Sequence, residues 1–145
     1  FAAGESTHFS LSSTLESNQI EAELALETDL FIDAALTTFT LTNLNINSKV
    51  ISQALLGTNL VTSFNGGLTY QIKDQQLDID SIKINNALTG PLVQGDINID
   101  ASNIKVEQNN QLTLGNFAIT SNLTGSSLEN LQLETSLHYC HIRMS

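Results

Sequence analysis

The sequence predicts an all-β fold of repetitive antiparallel strand pairs, forming a curved sheet with an apolar groove. Three observations predict it. Apolar residues recur at spacing two, as in Leu68, Tyr70 and Ile72, the period of a half-buried strand. The same strand-pair pattern returns three times, which is the signature of a repeat array. In each copy the apolar phase then slips by one residue at an equivalent point. A β-sandwich is the alternative arrangement of the same strands.

Taken in chain order, the first ambiguous segment is Leu15 to Leu26, whose Glu16, Glu21, Glu23 and Glu27 could share a helix face. Ile20 to Leu26 also alternates, and a strand is the reading adopted. The first repeat then places Leu30 and Ile32, Phe39 and Leu41, and Leu44 and Ile46 at spacing two within three short runs. Leu68 and Tyr70, Leu77 and Ile79, and Ile82 and Ile84 make the second repeat. Ile104 and Val106, Leu112 and Leu114, and Phe117 and Ile119 make the third. From Leu41 to Ile79 to Leu114 the displacements are 38 and then 35 residues. Each copy closes on a small motif: Ala54-Leu55-Leu56-Gly57, Ala87-Leu88-Thr89-Gly90 and Asn122-Leu123-Thr124-Gly125. The eighteen apolar residues of the three repeats are the candidates to line the groove.

The phase slips fall at Thr42-Asn43, Asp80-Ser81 and Gly115-Asn116. A one-residue slip sends every later side chain to the other face unless the strand bulges, and bulges bend strands. Bulges repeated at equivalent positions would curl the sheet along one line into a taco-like trough with an apolar concave side. Asp78, Asp80, Lys83, Lys105 and Glu107 would lie on the polar convex side. A tight turn at each slip, splitting one bent strand into two short ones, is the competing expectation. Phe31, Phe39, Phe64, Phe117 and Tyr70 are the aromatics that could touch a lipid chain, and ordinary packing would place them equally well.

Composition excludes several functions. The 145 residues suit a single β-rich domain over 1–145. With 15 acidic and 5 basic residues the net charge is −10, and Lys49, Lys73, Lys83, Lys105 and Arg143 are scattered. Nucleic acid is therefore not an expected partner, because polyanions are held by clustered cations. Adsorption to an anionic membrane through a basic patch is disfavoured for the same reason. Cys140 is the only cysteine, which rules out an internal disulfide framework. No apolar run reaches the roughly 20 residues of a membrane-spanning helix. With Phe1 first, and no charged and then apolar leader, the chain reads as a segment of a longer protein.

Catalytic chemistry is not expected. The chain has no Gly-rich phosphate loop, His-Glu-x-x-His or Gly-x-Ser-x-Gly pattern, so no catalytic residue, metal ligand or cofactor is assigned. Asp96, Asn98, Asp100 and Glu107 have calcium-loop spacing, but Ala101 stands where the tight turn needs Gly, and a polar strand face explains them better. His138, Cys140 and His141 crowd soft ligands into a short stretch. That stretch falls in 136–145, read as a candidate disordered tail. Cys140 could also form an intermolecular disulfide in an oxidising compartment. The Asn122-Leu123-Thr124 glycosylation pattern is too short to weigh.

The stretches Phe9 to Asn18, Phe39 to Asn47, Gly66 to Ile84, Gln111 to Phe117 and Leu123 to Gly125 resemble the strand–turn–strand cadence of the AsmA family, which includes TamB-like proteins. The resemblance covers residues 9 to 131 and leaves out the last ten. It implies a periplasmic protein of the Gram-negative cell envelope, anchored in the inner membrane by a helix outside this chain. It also implies outer membrane biogenesis and lipid transport, with phospholipid acyl chains shielded in a β-groove. The expected partners are acyl chains, adjacent repeats of the parent protein and a second copy joined through strand edges. A trough of this size would be about one lipid long. The alternative is a β-sandwich or solenoid protein-interaction module, such as an adhesin or assembly factor.

Overall fold

The computed structural model describes residues 3–108, 111–125 and 128–143, and every element but one short turn is a strand. The strands are β1 (Ser6–Glu16), β2 (Ile20–Ile32), β3 (Thr38–Ser52), β4 (Thr58–Gln71), β5 (Gln76–Thr89), β6 (Val93–Val106), β7 (Gln111–Gly125) and β8 (Leu128–Arg143). They form a single antiparallel sheet in sequence order, with β1 and β8 at its two edges. One sheet excludes the two-sheet sandwich. The repeats are the hairpins β2–β3, β4–β5 and β6–β7. Their three closing motifs lie at or beyond the ends of β3, β5 and β7, along one rim of the sheet.

Local chemistry accounts for the turns. Between β1 and β2, Ser17 Oγ accepts hydrogen bonds from the amides of Ile20 (3.0 Å) and Gln19 (3.3 Å), so the Leu15–Leu26 segment breaks into two strands and forms no helix. Between β2 and β3, Asp33 Oδ1 accepts from the amides of Thr37 (2.6 Å) and Thr38 (2.8 Å), while Oδ2 accepts from the Thr37 hydroxyl at 2.6 Å. These bonds hold the Asp33 carboxyl below its ordinary pKa, the Thr37 hydroxyl having the largest effect. Between β3 and β4 a single 3₁₀ turn, Gln53–Leu55, ends on left-handed Leu56 and Gly57.

The first two phase slips are bulges within continuous strands, and the third is a one-residue gap in the pairing of continuous strands. In β3 the register passes from Leu41↔Leu68 to Leu44↔Gly66, so Thr42-Asn43 oppose Gly67 alone. In β5 it passes from Ser81↔Gly67 to Ile79↔Leu68, making Asp80 the extra residue. Across β6 and β7, Asn103 and Gly115 both stand outside the pairing, between Ser102↔Asn116 and Ile104↔Leu114. Asn43 and Asn103 adopt left-handed backbone, φ 52° and 54°. The irregularities form a line from Thr28 on β2 to Gly115 on β7, so the split-strand expectation fails. The presumed tail differs too. Residues 136–143 continue β8, and β8 pairs with β7 as far as Arg143↔Gln111. The ladder of β7 supplies backbone partners for that stretch whatever its side chains; Met144 and Ser145 lie outside the described residues.

The sheet is a single layer. Among the described residues Ala101, 8% exposed, is the sole buried apolar side chain, and Thr28 and Thr58 are the buried polar ones. Ala101 sits beside the bulge line between Ile82 and Phe117.

Candidate functional site

Residues paired across antiparallel strands share a face, so the register decides which side chains lie together. All eighteen groove candidates fall on one face, in four rows that cross the strands. On one side of the bulge line runs Leu30–Leu41–Leu68–Ile79–Ile104–Leu114, from β2 to β7. Beyond it lies Ile32–Phe39–Tyr70–Leu77–Val106–Leu112. On the other side of the line is Leu44–Gly66–Ile82–Ala101–Phe117, then Leu26–Ile46–Phe64–Ile84–Ile99–Ile119. The bulges keep the four rows on the same face despite the slip in sequence parity. The row partners Leu26 and Ile99 were not among the eighteen, although alternation alone could have supplied them; Phe64 had been singled out only as an aromatic.

None of these rows contains a charged residue. Seventeen of the eighteen candidates are half-buried, and Tyr70 is exposed. Half-burial on a single sheet comes from neighbours on the same face, for no other described element lies across them. Four of the five aromatics singled out from sequence, Phe39, Phe64, Tyr70 and Phe117, are on this face. Phe31 is not: it pairs with Thr40 and Ser6 on the other side.

The opposite face carries the charge. Asp78 lies opposite Lys105, and Lys83 opposite Asp100. Lys105 Nζ reaches Glu107 Oε1 at 3.2 Å. Toward β1, Asn43 Nδ2 donates to Asp29 Oδ2 and His8 Nδ1 meets Asp29 Oδ1, both at 2.8 Å. The Asn43 bond, followed by His8, lowers the Asp29 pKa from its usual value. This pairing ties the bulge of β3 to the edge strand, and no sequence signal singled it out.

The remaining candidates do not converge. Asp96, Asn98 and Asp100 are successive same-face residues of the extended β6, alternating with Ile97 and Ile99, and Asn98 Nδ2 donates to Asp96 Oδ2 at 2.8 Å. Glu107 lies just past the far end of that strand, so these residues do not surround a common point. His138 Nδ1 meets Asn116 Oδ1 at 2.9 Å across β7–β8, and the side chains of Cys140 and His141 lie outside the described residues.

No family model, curated protein or solved structure matches this chain. The geometry of the uncharged face therefore stands without a neighbour to interpret it.

Proposed function

We propose that the chain is a non-catalytic lipid-binding segment whose uncharged face accommodates phospholipid acyl chains. The observation that supports this reading is the set of four apolar rows. Three of them run over six strands and the fourth over five, all are free of charge in a chain of net charge −10, and no other described element covers them. A surface of this kind needs a cover, because exposed contiguous apolar area is costly in water. An acyl chain supplies it without directional chemistry, at about 0.8 kcal/mol per methylene removed from water. Six strands spaced about 4.8 Å apart give the rows a length of about 24 Å, against about 30 Å for the hydrocarbon core of a bilayer. That is room for one lipid's chains and too short to join two membranes.

The resemblance to the AsmA family supplies the setting of this proposal: the periplasm, a parent protein anchored in the inner membrane, and neighbouring repeats that extend the sheet in service of outer membrane biogenesis. The test is native mass spectrometry of the chain purified from a Gram-negative host without detergent, followed by organic extraction. Bound species with phospholipid masses are expected. A folded chain that carries no lipid and takes none from phosphatidylethanolamine–phosphatidylglycerol vesicles would overturn the reading.

The second reading, a protein-interaction module, is favoured by the open edge. The 11-residue β1 contains no Pro, Lys or Arg, and its pairing with β2 runs without a bulge, so it has few of the devices that discourage strand addition. A second copy of this chain is the partner expected there.

A further inference from the structure

We infer that the uncharged face holds a polar subsite, formed by Ser48, Thr62 and Asn86, which receives the carbonyl–ester end of an acyl chain. The inference rests on the lipid-binding reading and deepens it. Past the row of Ile46, Phe64 and Ile84, the next cross-strand row reads Leu24–Ser48–Thr62–Asn86–Ile97–Ser121, with Ile97 separating Ser121 from the three adjacent polar residues. Ser48 faces Thr62, and Thr62 faces Asn86, so three polar residues stand side by side on β3, β4 and β5. The row beyond is apolar again at Val50, Leu60 and Leu88. The polar cluster is thus an island: Leu24 and Ile97 flank it within its row, and apolar rows bound it above and below. Strand rims turn polar where they meet water, but an island enclosed by apolar rows is not a rim.

The island is also oriented. Thr62 Oγ1 donates to Asn86 Oδ1 at 2.8 Å, and Asn86 Nδ2 donates to the carbonyl of Ile97 at 3.3 Å. Those two bonds fix the Asn86 amide and commit the Thr62 proton, leaving the Thr62 oxygen as an acceptor. The Ser48 hydroxyl has no hydrogen-bond partner among the described residues, so its proton remains to be donated. Covering this face with plain hydrocarbon would strand that donor away from water, which carries a penalty. An ester carbonyl accepts the Ser48 proton and removes the penalty. The subsite is uncharged, so it suits a neutral ester carbonyl, whereas a free carboxylate or a phosphate could accept the same proton but would leave its charge uncompensated on an apolar face.

The test measures displacement of a pyrene-labelled alkane from the full chain by methyl palmitate and by an alkane of matched length. The wild type should prefer the ester by about tenfold, the size expected of one or two hydrogen bonds. The triple variant Ser48→Ala, Thr62→Val, Asn86→Leu should lose that preference while still binding the alkane. Ser48→Ala alone, which removes only the free hydroxyl, should lose most of it and covers the case in which the triple variant misfolds by circular dichroism. Equal binding of ester and alkane by the wild type, or a preference that survives Ser48→Ala, overturns the subsite and leaves the hydrocarbon-binding face standing. If neither probe binds, the lipid reading falls and the subsite with it, and sedimentation then shows whether a second copy occupies the face.

Discussion

Asn103 adopts φ 54° inside β6, opposite Gly115 on the bulge line. Left-handed backbone costs an ordinary L-residue about 1–2 kcal/mol, and Asn is among the few types that visit it readily. Asn103→Gly is therefore expected to hold stability within a few tenths of a kcal/mol, whereas Asn103→Val should lose about 1–2 kcal/mol in urea denaturation. A Val that unfolds at the same urea concentration as the wild type would show that the bulge geometry is not needed. Gly115 answers Asn103 by leaving space: a Cβ there would lie 2.8 Å from Asn103 Cβ and 3.1 Å from the Ser102 carbonyl oxygen. Neither neighbour is the tip of a flexible side chain, so both must shift to admit Ala. At Gly66, too, the missing side chain is functional, since a Cβ would come within 3.3 Å of the Phe64 ring. Small residues on this line let the strands bend without separating the rows.

At the scale of the element, the β2–β3 hairpin depends on an ionised Asp33. Its carboxyl titrates below the usual 3.8, so its contribution is complete above that value and is lost as pH falls through the lower folded value. Asp29, bonded to Asn43 and His8, has the same sign and adds to the effect. Hydrogen-exchange protection at the Thr37 and Thr38 amides should therefore be constant above about pH 5 and decline below about pH 4. In Asp33→Ala it should be low throughout and lack that step. Edge strand β1 makes a separate prediction. Leu11 and Leu15 are each 60% exposed on a strand with one free side. Concentration-dependent association through that edge should be weakened at least several-fold by Leu11→Lys in sedimentation velocity, because a charge on an edge strand opposes addition of another. A wild-type chain that remains monomeric at high concentration would remove strand addition from consideration.

For the molecule as a whole, the question is what completes a sheet with no second layer. If acyl chains do, a charge placed in the middle of the rows should expel them. Ile79→Asp, in the row beside the bulge line, is expected to weaken acyl-probe binding tenfold or more, since removing a carboxylate from water costs several kcal/mol. Lys83→Gln, on the opposite face, should leave binding unchanged. Equal loss in both variants would mean that binding does not use the uncharged face. The same logic predicts that lipid raises the unfolding temperature, because a ligand that binds only the folded sheet stabilises it by mass action.

Much of this was legible along the chain. Alternation gave the strands, the 38- and 35-residue displacements gave the hairpin repeat, and the slips at Thr42-Asn43, Asp80 and Gly115 marked the bend, because each is a local property of neighbouring residues. The strand order of 136–143 was not legible, since a strand at the end of a meander takes its order from the ladder of β7 and not from its own pattern. Which residues share a row was not legible. Leu41 and Ile79, or Ser48, Thr62 and Asn86, meet only through the hydrogen-bonded register of three strands. So the chain by itself determined strands, period and bend, and the tertiary structure alone decided that there is one layer, one charge-free face and a polar island within it.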